Sequence, residues 1–191
     1  MATAASTDTT EPRPQRADAR RNRERILAAA REVFAKEGRE VQMPDVARAA
    51  GVGVGTLYRH FPAKEDLVRA LVCDKVQATI DTAREALTRD DPREAIEWLV
   101  HQHAAKMAES RGLRDAMSVI DFGDDNPWNT DEPRRCAASV LDRAREAGAI
   151  REDLTVDDWQ ALMCGLAAAI ASGAEPARQA DFILAAVRAP A

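Results

Sequence analysis

Apolar residues recur every three or four positions along most of this chain, and glycine or proline interrupts the pattern at intervals. The first apolar stripe covers Ile26–Phe34 and ends at Gly38, a natural helix stop. A second short stripe begins at Pro44, a residue favoured at the first helical position, and ends at Gly51. A third short helix is predicted over residues 55–60. The pattern therefore predicts three helices before Pro62.

Longer stripes occupy the rest of the chain. The helices predicted there are, in order, 63–87, 92–109, 113–122, a helix that ends near Gly148, 155–173 and 176–187. Gly112 is expected to separate the second and third of these, and the polar segment Gly123–Pro133 to form a loop around Trp128. Thr155 and Asp158 resemble a capping box. About nine helices and no convincing strand result, so the expected fold class is all-α.

The composition supports this expectation. Hydrophobic residues make up 46% of the 191 residues and charged residues 31%, as in ordinary globular proteins. Alanine, leucine, arginine and glutamate dominate, and these residues favour helix. No apolar run has the length of a membrane helix, and the first twenty residues contain no apolar signal core, so a cytoplasmic protein without a membrane partner is expected. The cysteines form no C-x-x-C pair and are interpreted as reduced structural thiols.

Charge is unevenly distributed along the chain. The formal net charge is −5, but residues 1–70 contain 13 Lys and Arg against 10 Asp and Glu, whereas residues 71–191 contain 14 against 22. The first part therefore carries +3 and the second −8. This asymmetry suits a small DNA-reading head on an acidic body, because phosphates repel the body. The predicted division is a disordered basic arm over 1–19, a DNA-binding domain over 20–66 and a helical body over 67–191.

The stretch from Val41 to Leu67 carries the functional prediction. Gly51 can adopt the left-handed conformation that lets the chain leave the second helix at a steep angle. Apolar residues on the two short helices would pack them together as a helix-turn-helix. The side chains left facing outward are Thr56, Tyr58, Arg59 and His60. A helix that lies in a major groove needs such hydrogen-bond donors, so DNA binding is predicted.

The same stretch resembles the DNA-binding signature of the TetR family of bacterial regulators, A-x-x-A-G-V-x-x-G-T-L-Y-x-H-F-x-x-K-x-x-L. The matching residues are Ala47, Ala50, Gly51, Val52, Gly55, Thr56, Leu57, Tyr58, His60, Phe61, Lys64 and Leu67. The resemblance is strong over about residues 20–70 and only architectural beyond them. It implies a three-helix DNA-binding domain, a C-terminal helical ligand-binding and dimerisation domain, and a homodimer on double-stranded operator DNA.

The resemblance also implies roles for individual residues. Tyr58, His60 and Lys64 resemble phosphate contacts, which set the register on DNA without reading its sequence. The residues implied at base edges or flanking phosphates are Gly53, Val54, Gly55, Thr56 and Arg59, and Pro44 completes the predicted DNA-binding set. Because Gly53–Gly55 offers almost no side-chain hydrogen bonds, we expect a sparse readout that depends on Val54, Thr56 and Arg59.

Two features next to the signature qualify this picture. Met43 stands where family members commonly have Thr or Ser, so the second helix is expected to lack a cap, at a cost of roughly 1 kcal/mol. The arginine-rich arm either adds minor-groove or phosphate contacts or is a solvated tail. The arginines concerned are Arg13, Arg16, Arg20, Arg21, Arg23 and Arg25.

From the resemblance, the last two helices are expected to pair with their copies in a four-helix dimer interface. Both faces of helix 155–173 are low in charge, as expected for a helix buried between its own core and a partner. Gly165, Ala168 and Ala171 would permit close approach. The predicted interface residues are Trp159, Leu162, Leu166, Ile170, Phe182, Ile183 and Ala186.

The middle helices and their loop supply candidates for a pocket that binds an unknown small-molecule effector. The candidate residues are Trp98, His103, Met107, Met117, Phe122, Trp128 and Met163. Methionine and aromatic side chains at helical spacing are also typical of plain core, and His103 is either a ligand-orienting group or a satisfied core histidine. His101 and His103 would point to opposite sides of a helix, so no metal site is predicted. No cofactor is expected.

The combined prediction is a ligand-released repressor of a palindromic operator. No G-x-S-x-G elbow, zinc motif or phosphate loop is present, so an enzyme is not predicted. Two alternatives stay open: a DNA-binding protein without an inducer, acting as an architectural or protein-regulated factor, and a thiol-based redox sensor. An inducer would shift the long helix that starts at Lys64, and this shift would change the distance between two DNA-binding heads.

Overall fold

The computed structural model describes residues 13–117, 120, 122–123 and 126–189. Within these ranges the chain forms nine α-helices and no strand, which confirms the all-α prediction. The helices are α1 (Arg13–Glu37), α2 (Met43–Ala50), α3 (Val54–His60), α4 (Lys64–Leu87), α5 (Pro92–Glu109), α6 (Arg111–Met117), α7 (Asp131–Glu146), α8 (Val156–Ala171) and α9 (Pro176–Val187). Single 3-10 turns cover Gly38–Glu40 and Pro127–Asn129. None of the described helices combines the length and the apolar character that crossing a membrane requires.

Local sequence signals set the ends of several helices. Gly51 ends α2 at φ 63° and ψ 38°, the left-handed conformation expected of it. Asp91 caps α5 by accepting a hydrogen bond of 2.8 Å from the backbone N–H of Arg93. Thr155 and Asp158 form the predicted capping box at the start of α8, with hydrogen bonds of 3.0 and 3.1 Å. At these ends, a few neighbouring residues suffice to stop or start a helix.

The first helix begins earlier than the apolar pattern indicates. Residues 13–19 belong to α1, so the prediction of a disordered arm over 1–19 is wrong for them, and residues 1–12 lie outside the described residues. Arginine and alanine dominate this first part of α1, and both favour helix without needing an apolar stripe. Arg20 also pairs with Glu24 one turn later, at 3.7 Å. Helix propensity and pairing along the helix therefore extend α1 beyond its apolar part.

The short helix α6 is the second departure from the predicted pattern. Gly112 lies inside α6 rather than between two helices, and Phe122 lies outside it. The reason is tertiary, because a Cβ atom on Gly112 would lie 1.8 Å from the carbonyl oxygen of Phe34 in α1. Glycine at this position lets two helix backbones meet instead of ending a helix.

Helix α7 begins inside the segment predicted as a loop. It starts at Asp131, before the predicted end of the loop at Pro133. The proline is tolerated because the first turn of a helix needs no backbone N–H from it. Trp128 lies in the preceding 3-10 turn, where its backbone N–H donates to the side chain of Asn126 at 3.0 Å. The polar segment is thus more ordered than its composition indicates in the part that the structure describes.

The buried apolar side chains form two clusters. The first joins α1, α2, α3 and most of α4, and it extends to Leu113, Ala116 and Phe122. The second joins the end of α4 with α5, α7, α8 and α9. The predicted domain boundary between residues 66 and 67 therefore falls within a continuous core. Because α4 and α6 both pack in the core of the N-terminal helices, a shift of either helix must move those helices too.

Replacing Gly112 with alanine should destabilise the fold. The new Cβ would overlap the Phe34 carbonyl, which is backbone and cannot rotate away, so the free energy of unfolding should fall by about 1 to 3 kcal/mol. Chemical denaturation followed by circular dichroism measures this change. Gly55→Ala is the matched control, because nothing lies within 4 Å of its added Cβ and alanine favours helix. Equal effects of the two substitutions would contradict the close contact of α6 with α1.

Candidate DNA-binding surface and internal cavity

Helices α2 and α3 form a tight helix-turn-helix. Gly51 ends α2, and the N–H of Val52 donates to the carbonyl oxygen of Ala47 at 3.0 Å, which closes the turn. Val46, Ala47 and Leu57 are completely buried where these helices pack. The inner faces of both helices are therefore committed to the core, and only their outer faces are available to a ligand.

The outer face of α3 carries most of the predicted DNA-contacting residues. Val54 and Tyr58 are 42% and 44% exposed, although both are large and mainly apolar. Tyr58 is thus available for contact and is not a core residue. The other predicted residues here are Gly53, Gly55 and Arg59, which are exposed, and Thr56 and His60, which are half-buried.

Two further predicted contacts flank α3. Pro44 is exposed in the first turn of α2. Lys64 begins α4, and its Nζ donates to the carbonyl oxygen of Arg39 at 2.6 Å and lies 5.9 Å from the ring centroid of Phe34. An ammonium has three protons, so the one hydrogen bond to Arg39 leaves others for a phosphate. The backbone after α1 therefore holds this lysine in position.

Two arginines of α1 hold the helix-turn-helix in place. Arg25 donates to the carbonyl oxygens of Ala50 and Gly51, at 2.8 and 3.2 Å. The guanidinium of Arg23 lies 5.4 Å from the ring centroid of Phe61. These contacts correct the assignment of both arginines to an arm. The exposed arginines that remain on α1 before them are Arg20 and Arg21, and the side chains of Arg13 and Arg16 lie outside the described residues.

Met43 packs in the core instead of capping α2. It is the first residue of the helix and only 7% exposed. Gln42 occupies the N-cap position, one residue before the position where a capping Thr or Ser was expected, and it makes no side-chain hydrogen bond to the helix. The missing cap weakens the start of α2, whereas burial of the methionine stabilises it, so the two effects oppose each other.

A cavity of about 1020 Å³ lies among α1, α4, α5, α6, α7 and α8. Its volume is that of a site for a small organic molecule. Most of the predicted pocket residues line it, although they come from four separate parts of the chain. The candidates that the structure brings together here are His103, Met107, Met117, Trp128 and Met163.

Two candidate pocket residues lie elsewhere. The guanidinium of Arg89 stacks on Trp98, 4.1 Å from its ring centroid, and Trp98 does not line the cavity. Phe122 packs in the first core cluster, with the guanidinium of Arg69 5.2 Å from its ring centroid. Both assignments to the pocket are wrong, because aromatic side chains fill a core as readily as they line a site. Trp159, predicted for the dimer interface, lines the cavity instead.

Comparison with known proteins identifies both parts of the chain. Residues 26–71 match the family profile described as "Bacterial regulatory proteins, tetR family". Residues 91–188 match the profile described as "Transcriptional regulator SbtR-like, C-terminal domain". The chain belongs to the TetR family. It is therefore a DNA-binding transcriptional regulator, and its membership of a family of regulators agrees with the prediction that it is not an enzyme.

Solved structures extend the similarity over most of this TetR-family chain. A TetR regulator from Mycobacterium vanbaalenii is 35% identical, with a TM-score of 0.71, over 92% of this chain and 99% of its own. A TetR regulator from Streptomyces coelicolor is 31% identical, with a TM-score of 0.69, over 88% and 99%. An HTH-type transcriptional regulator of Staphylococcus aureus (strain USA300) is 49% identical over 53 residues, and this match covers 27% of the chain and 29% of the relative.

Burial changes the protonation of side chains that line the regulator's cavity. His103 is 8% exposed, and neither of its ring nitrogens has a hydrogen-bond partner among the described residues. Burial, with a smaller effect of the charge on Lys106, lowers the pKa of His103 to about 4. Burial and the charge on Arg114 lower the pKa of Lys75 to about 8. At neutral pH the imidazole is therefore neutral, while most of the lysine stays charged.

The cationic side chains of the cavity were not predicted from the sequence. Lys75, Lys106 and Arg114 all line it, whereas the predicted pocket consisted of aromatic residues, methionines and His103. One signal was available, because Lys75 follows Leu71 by one helical turn and so shares the buried face of α4. A lysine on such a face is rare and indicates either a partner or a site.

Helices α8 and α9 leave an apolar surface without a cover in the protomer. Phe182 is 55% exposed, and α8 has no charged residue between Trp159 and Ala171. The exposed residues of this surface, which we name the α8–α9 face, are Ala161, Gly165, Ala168, Phe182 and Ala186. Small side chains on two neighbouring helices permit close approach of another helix pair.

The α8–α9 face contains only part of the predicted dimer interface. Trp159, Leu166 and Ile170 are at most 3% exposed and pack in the second core cluster of their own protomer. They lie on the inner side of α8 and are already buried within the protomer, so their place in an interface stays a prediction without support from the protomer. Among the other predicted interface residues, Phe182 and Ala186 are exposed, and Leu162 and Ile183 are half-buried.

Replacing His103 with methionine should reduce the loss in the free energy of unfolding that accompanies a fall in pH from 7 to 4. The pKa of the ring is about 4 in the folded chain and about 6.5 in the unfolded chain, so between these values the unfolded chain binds more protons. Neutral His103 therefore contributes fully to the free energy of unfolding of the wild type above pH 6.5. This contribution, up to about 3 kcal/mol, is lost as the pH falls towards 4. Urea denaturation at pH 7, 5.5 and 4 should show a smaller loss for His103→Met.

Met107→Leu is the control for this pH measurement. It changes another side chain of the cavity but removes no titratable group, so its profile should run parallel to that of the wild type. A His103→Met profile that is also parallel to the wild type would show that the imidazole is not held neutral.

Proposed function

We propose that this regulator is a cytoplasmic repressor that binds a two-fold operator as a homodimer. A small molecule bound in the cavity would release it from the operator. The observation that carries the proposal is the position of the cavity. Arg31 of α1, Leu71 of α4 and Leu113 of α6 all line it, and these three helices also form the core of the DNA-binding head. A ligand that rearranges the cavity walls therefore acts on the helices that position α3.

Helix α6 connects the cavity to the predicted DNA contacts through hydrogen bonds. Arg114 and Met117 face the cavity, while Asp115 accepts a hydrogen bond of 3.0 Å from the backbone N–H of Arg39. The carbonyl oxygen of the same Arg39 accepts the 2.6 Å hydrogen bond from Lys64. A displacement of α6 would therefore move a predicted phosphate contact through a single residue.

Helix α4 provides a second connection. It begins at Lys64 beside the DNA-binding surface and lines the cavity from Leu71 to Ala83. Since a packed helix moves as a rigid element, a small tilt at the cavity becomes a displacement of its first turn. In a dimer, opposite displacements of two heads would change their separation, and a two-fold operator requires a fixed separation.

The α8–α9 face supports the homodimer. Its exposed residues are mostly alanine and glycine, and Phe182 adds a large apolar group at 55% exposure. A second copy of the same face would cover it, because a two-fold interface joins identical surfaces. The charge-free stretch from Trp159 to Ala171 also agrees with burial on both sides of α8.

The cavity favours this proposal over a DNA-binding protein without an inducer, which has no use for a partly open cavity lined by apolar, neutral polar and charged groups. The cysteines add no comparable support for a redox sensor. All three are free, and Cys73 and Cys164 are exposed, so the expectation of structural thiols applies only to the half-buried Cys136. Exposure alone does not make a thiol reactive.

Replacing Arg59 with methionine should weaken DNA binding without affecting the fold, because Arg59 is exposed on the outer face of α3. We expect roughly a tenfold or larger loss of affinity for the promoter of the chain's own gene. Fluorescence anisotropy across a series of salt concentrations measures both the affinity and its salt dependence.

The control for Arg59 is Arg93→Met, which removes an exposed cation from the first turn of α5 in the body. It should bind DNA as the wild type does. If the wild type showed no salt-sensitive DNA binding, or if Arg59→Met and Arg93→Met were equally impaired, α3 would not be the DNA-reading helix.

Replacing Ala168 with glutamate should dissociate the dimer. The new carboxylate would lie in the centre of the α8–α9 face, where pairing of two copies would bury it without a partner at a cost of several kcal/mol. Sedimentation velocity should show a dimer for the wild type and a monomer for the variant. Ala28→Glu, at an exposed position of α1, is the control and should remain dimeric. A dimeric Ala168→Glu variant would place the interface elsewhere.

A further inference from the structure

The walls of the cavity are apolar over a large part of their area. Large apolar side chains from α4, α5, α6 and α8 line it, among them Leu71, Leu99, Met107, Leu113, Trp159 and Met163. Removing an apolar group from water into such a site is favourable. A ligand that fills this cavity must therefore present an apolar body.

The charges that line the cavity do not balance. Five cationic side chains reach it, and three carboxylates do: Arg31, Lys75, Lys106, Arg114 and Arg134 against Asp74, Glu109 and Asp131. Several of these are already engaged. Arg31 pairs with Asp74, Arg134 pairs with Asp157 at 2.5 Å, and Lys106 donates to the hydroxyl of Thr82. Glu109 and Asp131 are exposed, so water solvates both carboxylates.

Two cations of the cavity lack such partners. Lys75 of α4 and Arg114 of α6 are both half-buried, and neither side chain forms an ion pair or a hydrogen bond with the rest of the described chain. Burial lowers the pKa of both side chains, and the charge on Arg114 adds to the lowering for Lys75. Two partly desolvated like charges in one cavity are unfavourable until an anion offsets them.

His103 is a third unsatisfied group in the same cavity. Its ring is 8% exposed, and both nitrogens lack a hydrogen-bond partner within the described part of the chain. A neutral imidazole offers one donor and one acceptor, and leaving both unused in a buried position is costly. The ring therefore favours a ligand with a polar atom placed along its apolar body.

We propose that the effector is a small amphipathic anion, whose carboxylate or phosphate group lies between Lys75 and Arg114 and whose apolar body packs against Trp159 and Met163. This proposal rests on the proposed function, since it names the chemical class of the effector. A neutral ligand would leave the positive charges of Lys75 and Arg114 without a counter-charge in the cavity, and a cationic one would add a third positive charge. An anion can accept hydrogen bonds from both side chains and also offset their charge.

The same geometry explains how such a ligand acts on DNA binding. Lys75 lies on α4 and Arg114 on α6, so an anion bound to both draws the two helices together. Asp115, next to Arg114, holds the backbone of Arg39 in the head. Binding of the anion therefore favours one arrangement of α4 and α6, and both helices connect to Lys64, a predicted phosphate contact.

A pair of fluorescent dyes tests the proposal. Anilinonaphthalene sulfonate and phenylnaphthylamine share one aromatic skeleton, but only the first carries an anionic group. Both gain fluorescence in an apolar site, so titration of the full-length dimer gives the affinity and stoichiometry of each. We expect one sulfonate site per protomer, with at least about a tenfold preference over the uncharged dye.

Variants of the two cations locate the site. Lys75→Met and Arg114→Met should each reduce affinity for the sulfonate about tenfold and leave affinity for phenylnaphthylamine unchanged. Arg134→Met is the matched control, because it removes a cavity cation that already pairs with Asp157, and it should behave as the wild type. Circular dichroism confirms that each variant is folded. Displacement of the sulfonate by octanoate or by octyl phosphate, but not by octanol, then shows which anionic group the site prefers.

The possible outcomes separate this proposal from the proposed function. If both dyes bound equally, and the two methionine variants changed neither, the cavity would be a ligand site without preference for an anion. If neither dye bound a protein that still binds its promoter, the cavity would not be a ligand site, and release by an effector would fall as well. If Lys75→Met lost its affinity for both dyes, Lys75 would be needed for the shape of the cavity, and this result would contradict its role in binding an anion.

Discussion

The contact between Gly112 of α6 and the Phe34 carbonyl of α1 is the constraint on which the arrangement of head and body depends. No side chain fits between the two backbones, since a Cβ would lie 1.8 Å from the carbonyl oxygen. This contact places Leu113 and Ala116 in the core of the N-terminal helices. It also places Asp115 where it can accept a hydrogen bond from Arg39. The body is thereby joined to the head at a second point besides the continuous helix α4.

This arrangement makes the cavity mechanically relevant to DNA binding. Helix α6 belongs to both regions, because it supplies residues to the cavity wall and to the first core cluster. A ligand shifts the protein only as far as it binds one arrangement of these helices better than another. In the proposed mechanism, such a difference comes from His103, which is buried without a hydrogen-bond partner among the described residues, and from the half-buried cations Lys75 and Arg114. The walls that we propose to bind an effector thus belong to helices that also position α3.

Particular residues show how much could be predicted from the sequence. The helix-turn-helix was predictable because Gly51, the apolar positions around it and the outward residues of α3 act over short distances. The capping box of Thr155 and Asp158 was predictable for the same reason. The pocket was predicted in part, since His103 and Met163 line it and Trp98 and Phe122 do not. Apolar side chains look alike in sequence whether they meet each other or surround a space.

The sequence by itself determined the nine-helix pattern in the described chain, the family and the chemistry that α3 exposes on its outer face, because all of these depend on neighbouring residues. Tertiary structure alone decided that Gly112 joins two helices, that Trp159 faces the cavity and that Lys75 and Arg114 line the same cavity. Each of these facts depends on residues far apart in the chain, and their distance in space follows from how whole helices pack. The periodicity of one helix predicts which of its faces is buried, but it does not predict which other helix packs against that face.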